Sequence, residues 1–209
     1  MAKINKTAIL SVILLAGAAG FSRGADVSMH ALGRKSGLPD TGQTLCYDGT
    51  GIVIVCPASG GALAQDGSYT SNASSPSYTL NGISPNQTTT DNRTGLMWAT
   101  DGLGAGCMNG GVDVSTMALA YCEGLTFAGY TDWRLPNVRE LMSIVDYGIS
   151  NPAINATYFP NTQTANYYWS STTALSDTSY AWGVYFNYGG IYSNGKNVNN
   201  SVRCVRAGP

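Results

Sequence analysis

The side chains best equipped for covalent chemistry are five cysteines, Cys46, Cys56, Cys107, Cys122 and Cys204, and a single histidine, His30. A Ser or Cys nucleophile needs a base held within hydrogen-bonding reach. His30 lies near the start of the chain, in a stretch with no periodic pattern to hold it, which excludes most Ser/His and Cys/His schemes. No Cys-x-x-Cys pair supports a zinc or thiol-redox centre. Gly102-Leu103-Gly104-Ala105-Gly106 lacks the following Lys-Ser/Thr of a phosphate cradle. Asp101 and Asp113 bracket that loop, and Asp132 and Asp146 flank a later helical segment, but the alternating acids of a calcium loop are missing. Neither a metal nor a cofactor is expected. Asp132 reads as a brace for the turn before Trp133, and Arg134 and Arg203 as braces for backbone carbonyls or for Asp132.

What remains is chemistry of recognition. Residues 166–202 are rich in Tyr, Asn, Ser and Gly, with only Asp177 and Lys196 charged. Such a mixture resembles a paratope: Tyr gives stiff amphipathic contact area at low entropic cost, while Ser, Asn and Gly give adaptable hydrogen bonding. The candidate ligand-binding residues are Tyr167, Tyr180, Tyr185, Asn187, Tyr188, Tyr192, Asn194, Asn197, Asn199 and Asn200, all expected to face outward. The expected partner is an extracellular protein or glycan. Trp98, Trp133, Trp169 and Trp182 could stack on a sugar, but most of them occupy strand or motif positions that suit core packing.

Residues 1–24 read as an export signal that the mature protein lacks. Lys3 and Lys6 form its positive start, and the apolar stretch from Ala8 to Ala19 is shorter than the ~20 residues a membrane span needs. A secreted, periplasmic or cell-surface protein with no integral membrane span in its mature chain is therefore expected. Without Lys3, Lys6 and Arg23, eight Lys and Arg face twelve Asp and Glu, a net charge of −4. No basic footprint for nucleic acid remains. In an oxidising compartment disulfides are the default reading of the cysteines. Cys46 and Cys56 flank a short strand pair and suit a local staple; Cys122 and Cys204 suit a long-range bridge, which leaves Cys107 over. Spacing alone does not fix that connectivity.

The elements that must position these residues are short. Residues 25–87 form a strand and loop appendage, and the larger domain occupies 88–209. Within it, Thr94-Gly95-Leu96-Met97-Trp98 is a turn entering a strand, followed by a glycine-rich loop from Gly102 to Gly111. Ala118, Tyr121, Cys122 and Leu125 recur at helical spacing behind Ser115 as a candidate N-cap. Val138, Leu141, Met142 and Val145 repeat that spacing, with Asn137 and Glu140 in capping-box positions. Beyond Pro160 the helical period disappears: 168–172 and 182–186 read as strands, 180–193 as a hairpin, and the chain closes on a strand carrying Val202 and Cys204.

Thr94-Gly95-Leu96-Met97-Trp98, Ala120-Tyr121-Cys122, Gly129-Tyr130-Thr131-Asp132-Trp133-Arg134-Leu135-Pro136-Asn137, Arg139-Glu140-Leu141, Tyr168-Trp169-Ser170-Ser171-Thr172 and Val202-Arg203-Cys204-Val205-Arg206 together resemble the Lcl C-terminal domain family. That family, of unknown function, is found in exported bacterial proteins. The resemblance implies an α+β, C-type-lectin-like fold: two helices with small antiparallel sheets and long loops. Its founding member is a collagen-like surface adhesin, but this chain has no Gly-x-y tract. Some lectin-like relatives are variable proteins of diversity-generating retroelements, and 166–201 looks like such a region. A rival reading is an enzyme related to the formylglycine-generating group, which would need Cys122 and Cys204 as a reactive pair. A third is a structural component of the cell surface.

Overall fold

The computed structural model describes residues 41–61, 63–72, 76–112 and 117–208. The export signal, His30, Asp113 and Ser115 lie outside the described residues. The first element among the described residues is a two-stranded hairpin, β1 (Cys46–Tyr47) and β2 (Val53–Ile54), closed by a Cys46–Cys56 disulfide. Asp48 forms its turn by accepting from the backbone N–H groups of Thr50 and Ile52. A 3₁₀ stretch, Asp66–Asn72, follows.

Next comes a four-stranded antiparallel sheet. Its members are β3 (Tyr78–Asn81), β4 (Thr88–Asp91) and β5 (Leu96–Ala99), joined by a late-arriving β11 (Val205–Ala207) in the order β11-β5-β4-β3. The β4–β5 turn is specified locally. The Asp91 carboxylate accepts from the Arg93 N–H and the Thr94 hydroxyl, and Gly95 supplies a φ of 74°. Because β3 belongs to this sheet, the sheet draws on residues from both sides of position 87.

A second sheet has the order β6-β10-β7-β8-β9, built from β6 (Cys107–Val112), β7 (Tyr168–Thr173), β8 (Tyr180–Tyr185), β9 (Gly190–Gly195) and β10 (Asn200–Arg203). The closing strand expected from sequence is thus two strands, β10 and β11, in different sheets, with Cys204 at the crossing. The glycine-rich loop also departs from expectation, since residues 107–112 are a strand. Local propensity is overridden there by the ladder to β10, which pairs Cys107 with Arg203 and Met108 with Val202.

Both helices are shorter than the sequence period promised. α1 (Leu119–Glu123) stops at Gly124, whose N–H returns to the Ala120 carbonyl 2.9 Å away, so Leu125 packs from beyond the helix. α2 (Val138–Met142) has the expected capping box: Asn137 accepts from the Glu140 N–H and Glu140 accepts from the Asn137 N–H. Two apolar clusters hold the assembly. One gathers Trp133, Trp169, Ala181, Val202 and the Cys122–Cys204 disulfide; the other gathers Trp98, Leu141, Phe159, Tyr168, Val184 and Phe186. Alternate residues of β7 and β8 enter different clusters, so over that span the second sheet is covered on both faces.

Candidate functional site

The β8–β9 hairpin is in continuous register, with Gly183 opposite Tyr192, Val184 opposite Ile191 and Tyr185 opposite Gly190. Side chains alternate across a strand, so Gly183, Tyr185, Gly190 and Tyr192 share one face while Val184 and Phe186 turn into the core. Tyr167, just ahead of β7, joins the first set. Its ring centroid lies 5.1 Å from that of Tyr185 and 5.7 Å from that of Tyr192. Tyr188, in the hairpin turn, closes the circuit at 5.1 Å from Tyr185 and 6.4 Å from Tyr192. Four phenol rings therefore form a closed set of tilted and edge-to-face contacts, the geometry that aromatic quadrupoles favour.

Gly190 makes room for the rings, and Gly183 for the backbone of the neighbouring strand. A Cβ at Gly190 would stand 2.6 Å from one ring carbon of Tyr192 and 2.7 Å from one of Tyr188, and a Cβ at Gly183 would stand 2.8 Å from the Tyr168 carbonyl oxygen. Tyr188 is 52% and Tyr192 42% exposed, and their hydroxyls are 3.0 Å apart. That hydrogen bond pushes the Tyr188 phenol up to about 12, further from ionisation than an ordinary phenol. The cluster presents uncharged rings and hydroxyls that can both donate and accept.

The turn beneath is fastened from behind. The Tyr147 hydroxyl donates to the Gly189 carbonyl at 3.1 Å, the Asn151 N–H to Asn187 O at 2.6 Å and the Ala153 N–H to Phe186 O at 2.6 Å. Sequence reasoning missed Tyr147; its only signal was an aromatic placed just after the second helix. The segment 146–148 in turn meets the start of the described chain, where the Tyr147 N–H donates to Thr41 O.

The ten sequence candidates do not converge on one spot. Tyr167, Tyr185, Tyr188 and Tyr192 form the cluster, with the half-buried Asn187 in its turn. Asn194 shares the face further along β9, but its carboxamide oxygen accepts from the Gly195 N–H. Tyr180, opposite Gly195, sits at the far end of the hairpin and by alternation on the other face; Asn197 and Asn199 are exposed at that same far end. Asn200 overturns its expectation. It is 2% exposed because β10 enters the sheet there, opposite Val112 of β6.

The remaining chemical groups hold structure. Cys122 and Cys204 are bonded and both fully buried. Cys107 is a free thiol, 7% exposed, and burial pushes it up to about 11, against thiolate formation. Arg203, fully buried, donates to the carbonyls of Ala99 and Thr100 and lies against the Phe159 ring. The partner of Asp132 is Arg206, at 2.7 Å, whereas Arg134 pairs with Glu140; the bridge between Arg134 and Val205 lays this segment along the outer edge of β11, beside Arg206. Among the described residues no group of three or more His, Cys, Asp or Glu could hold a metal ion. An open groove of about 620 Å³ runs between the β3–β4 turn and residues 128–130, lined by Asn81–Asn86, Thr88, Met97 and Tyr130. Its lining carries no carboxylate, cation or thiol.

No curated protein matches the chain. A family model does: that of the Lcl C-terminal domain matches residues 87–206, more than half of the sequence, running from just before β4 into β11 and leaving out β3, and the chain therefore belongs to the Lcl C-terminal domain family.

Proposed function

We propose that this is an exported, non-enzymatic recognition protein that binds an extracellular protein or glycan through the tyrosine face of its last hairpin. One observation carries the reading: four tyrosine rings touch in a closed circuit, two of them about half exposed, on a hairpin whose turn is fixed from behind. A rigid scaffold that displays aromatic side chains separates folding from recognition. Two disulfides support an oxidising compartment, and no helix among the described residues is long and apolar enough to cross a membrane. Two short helices beside one antiparallel sheet and one mixed sheet, in which β10 and β7 run parallel where only antiparallel pairing was expected, are in keeping with a C-type-lectin-like arrangement. The full burial of the Cys122–Cys204 disulfide argues against a reactive cysteine pair of the formylglycine-generating kind.

The test is a binding screen of the purified protein against glycan arrays and extracellular protein panels, with the triple substitution Tyr185→Ala, Tyr188→Ala and Tyr192→Ala run in parallel. The expected outcome is loss of the bound species with a melting temperature close to that of the parent. Undiminished binding by the substituted protein sinks the proposal. Diversification of residues 166–201 has its own check: a nearby near-copy of the coding region, differing only at adenines, beside a reverse transcriptase gene.

A structural role at the cell surface is the second reading, favoured by the first hairpin. Ile52, Val53 and Val55 are 65%, 54% and 93% exposed there, an uncharged β-branched run on an open strand edge. Concentration-dependent self-assembly in sedimentation experiments is its readout.

A further inference from the structure

The tyrosine cluster holds one pair whose geometry goes beyond contact. Tyr188 and Tyr192 are its two most exposed rings, and theirs is the hydroxyl pair joined by a hydrogen bond, at 3.0 Å. Their planes meet at 87°. A single point above Gly190 lies 2.6 Å from Cε2 of Tyr192 and 2.7 Å from Cε2 of Tyr188, so the two ring carbons ortho to the hydroxyls flank one small gap. Glycine at 190 leaves that gap empty; any side chain would fill it. We propose that Tyr188 and Tyr192 are a site of oxidative coupling, where a peroxide acting through a haem peroxidase joins the two rings as a dityrosine and staples the hairpin across its turn.

The chemistry balances within that pair and its oxidant. Each phenol gives up one electron and its hydroxyl proton, leaving a radical with spin density on the ortho carbon. The two radicals share their unpaired electrons in a new Cε2–Cε2 bond. Each ortho hydrogen then leaves its carbon as a proton while a proton returns to the oxygen, which restores both aromatic rings and both hydroxyls. The net change is the loss of two hydrogen atoms, and these reduce one hydrogen peroxide to two waters. Holding two reacting carbons side by side makes the coupling step unimolecular, which favours it over encounter between separate chains.

The neighbourhood directs the coupling to this pair. Tyr167 and Tyr185 touch the cluster but are half-buried, and Cys107, a competing hydrogen donor, is buried in the core. Tyr188 lies in the turn and Tyr192 is the third residue of β9, so a bond between them spans Gly189, Gly190 and Ile191 and freezes the exposed edge of the face. Coupling of the two rings does not require the face to bind anything.

The experiment treats the purified full chain with horseradish peroxidase and dilute hydrogen peroxide, then reads dityrosine fluorescence, intact mass and electrophoretic size. The expected result is a monomer lighter by two hydrogens, with fragment spectra showing no separation of the chain between 188 and 192. Tyr188→Phe and Tyr192→Phe should each abolish the product, while Tyr167→Phe should leave it; all three keep the ring that packs. Gly190→Ala should suppress coupling by filling the gap, with the near-ultraviolet spectrum checking that the hairpin survives. Dityrosine that appears only between chains, that maps elsewhere, or that persists in Tyr192→Phe overturns the assignment. So does its failure to form when free tyrosine couples under the same conditions.

Discussion

Two antiparallel hairpins, β1–β2 near the start of the described chain and β8–β9 near its end, keep their strands together by different means. The first has two-residue strands, both of β2's residues exposed, and a disulfide closing it across ten positions. The second has six-residue strands in unbroken register, with Val184 and Phe186 buried on one face and no covalent link. A hairpin without a packed face is marginal in water, and a cross-link restores part of what burial would have given. Where one face is already anchored in a core, the other is free to carry side chains chosen for contact rather than for folding. The tyrosine cluster occupies that freedom.

The largest expected effect comes from cutting the long-range bridge of the packed region. Cys204→Ser opens a link across 82 positions and leaves a buried hydroxyl at the crossing of the two sheets. It should cost about 2–5 kcal/mol of stability in chemical denaturation. Next, Glu140→Ala removes at once the capping box of α2 and the ion pair with Arg134, for about 1–3 kcal/mol. Burial raises the Glu140 carboxyl, but the hydrogen bonds from Arg134 and Asn137 outweigh it and the net shift is downward. Its stabilising contribution is therefore complete above the unfolded-state value and disappears as pH falls through the lower folded-state one. Acid denaturation of Glu140→Gln should accordingly be shallower than that of the parent.

Tyr147→Phe is a finer probe, since it deletes one hydrogen bond to the Gly189 carbonyl and nothing else. A loss of about 1 kcal/mol is expected, with hydrogen exchange rising in the 187–190 turn and the core amides unchanged. The smallest global effect belongs to Cys56→Ser, which opens the staple and leaves the fully buried Cys46 as a thiol. Because β2 is exposed, the main melting transition should move by less than about 0.5 kcal/mol while protease sensitivity rises between 46 and 56. A drop as large as that for Cys204→Ser would erase the distinction between the two hairpins.

Local signals were legible wherever a few neighbouring residues settle the matter. Asn137 and Glu140 announced the start of α2, and Gly95 the turn into β5. Signals that depend on distant partners were not. Residues 107–112 read as a glycine-rich loop because their strand identity comes from β10, some ninety positions away. Asn200 read as one more exposed amide, since nothing beside it tells that β6 and β7 flank it in the sheet.

By itself, the sequence determined the family, the packed tryptophans Trp98, Trp133 and Trp169, and a final segment in which phenols and amides stand in place of charges. It did so because composition and short-range spacing act through neighbours, which are already present in the unfolded chain. Only the tertiary structure decided which four of those tyrosines meet, that Tyr147 holds their turn, and that Arg206 rather than Arg134 answers Asp132. Those choices are made by register and by the crossing of one strand between two sheets, and they come into being only when remote segments are hydrogen-bonded side by side.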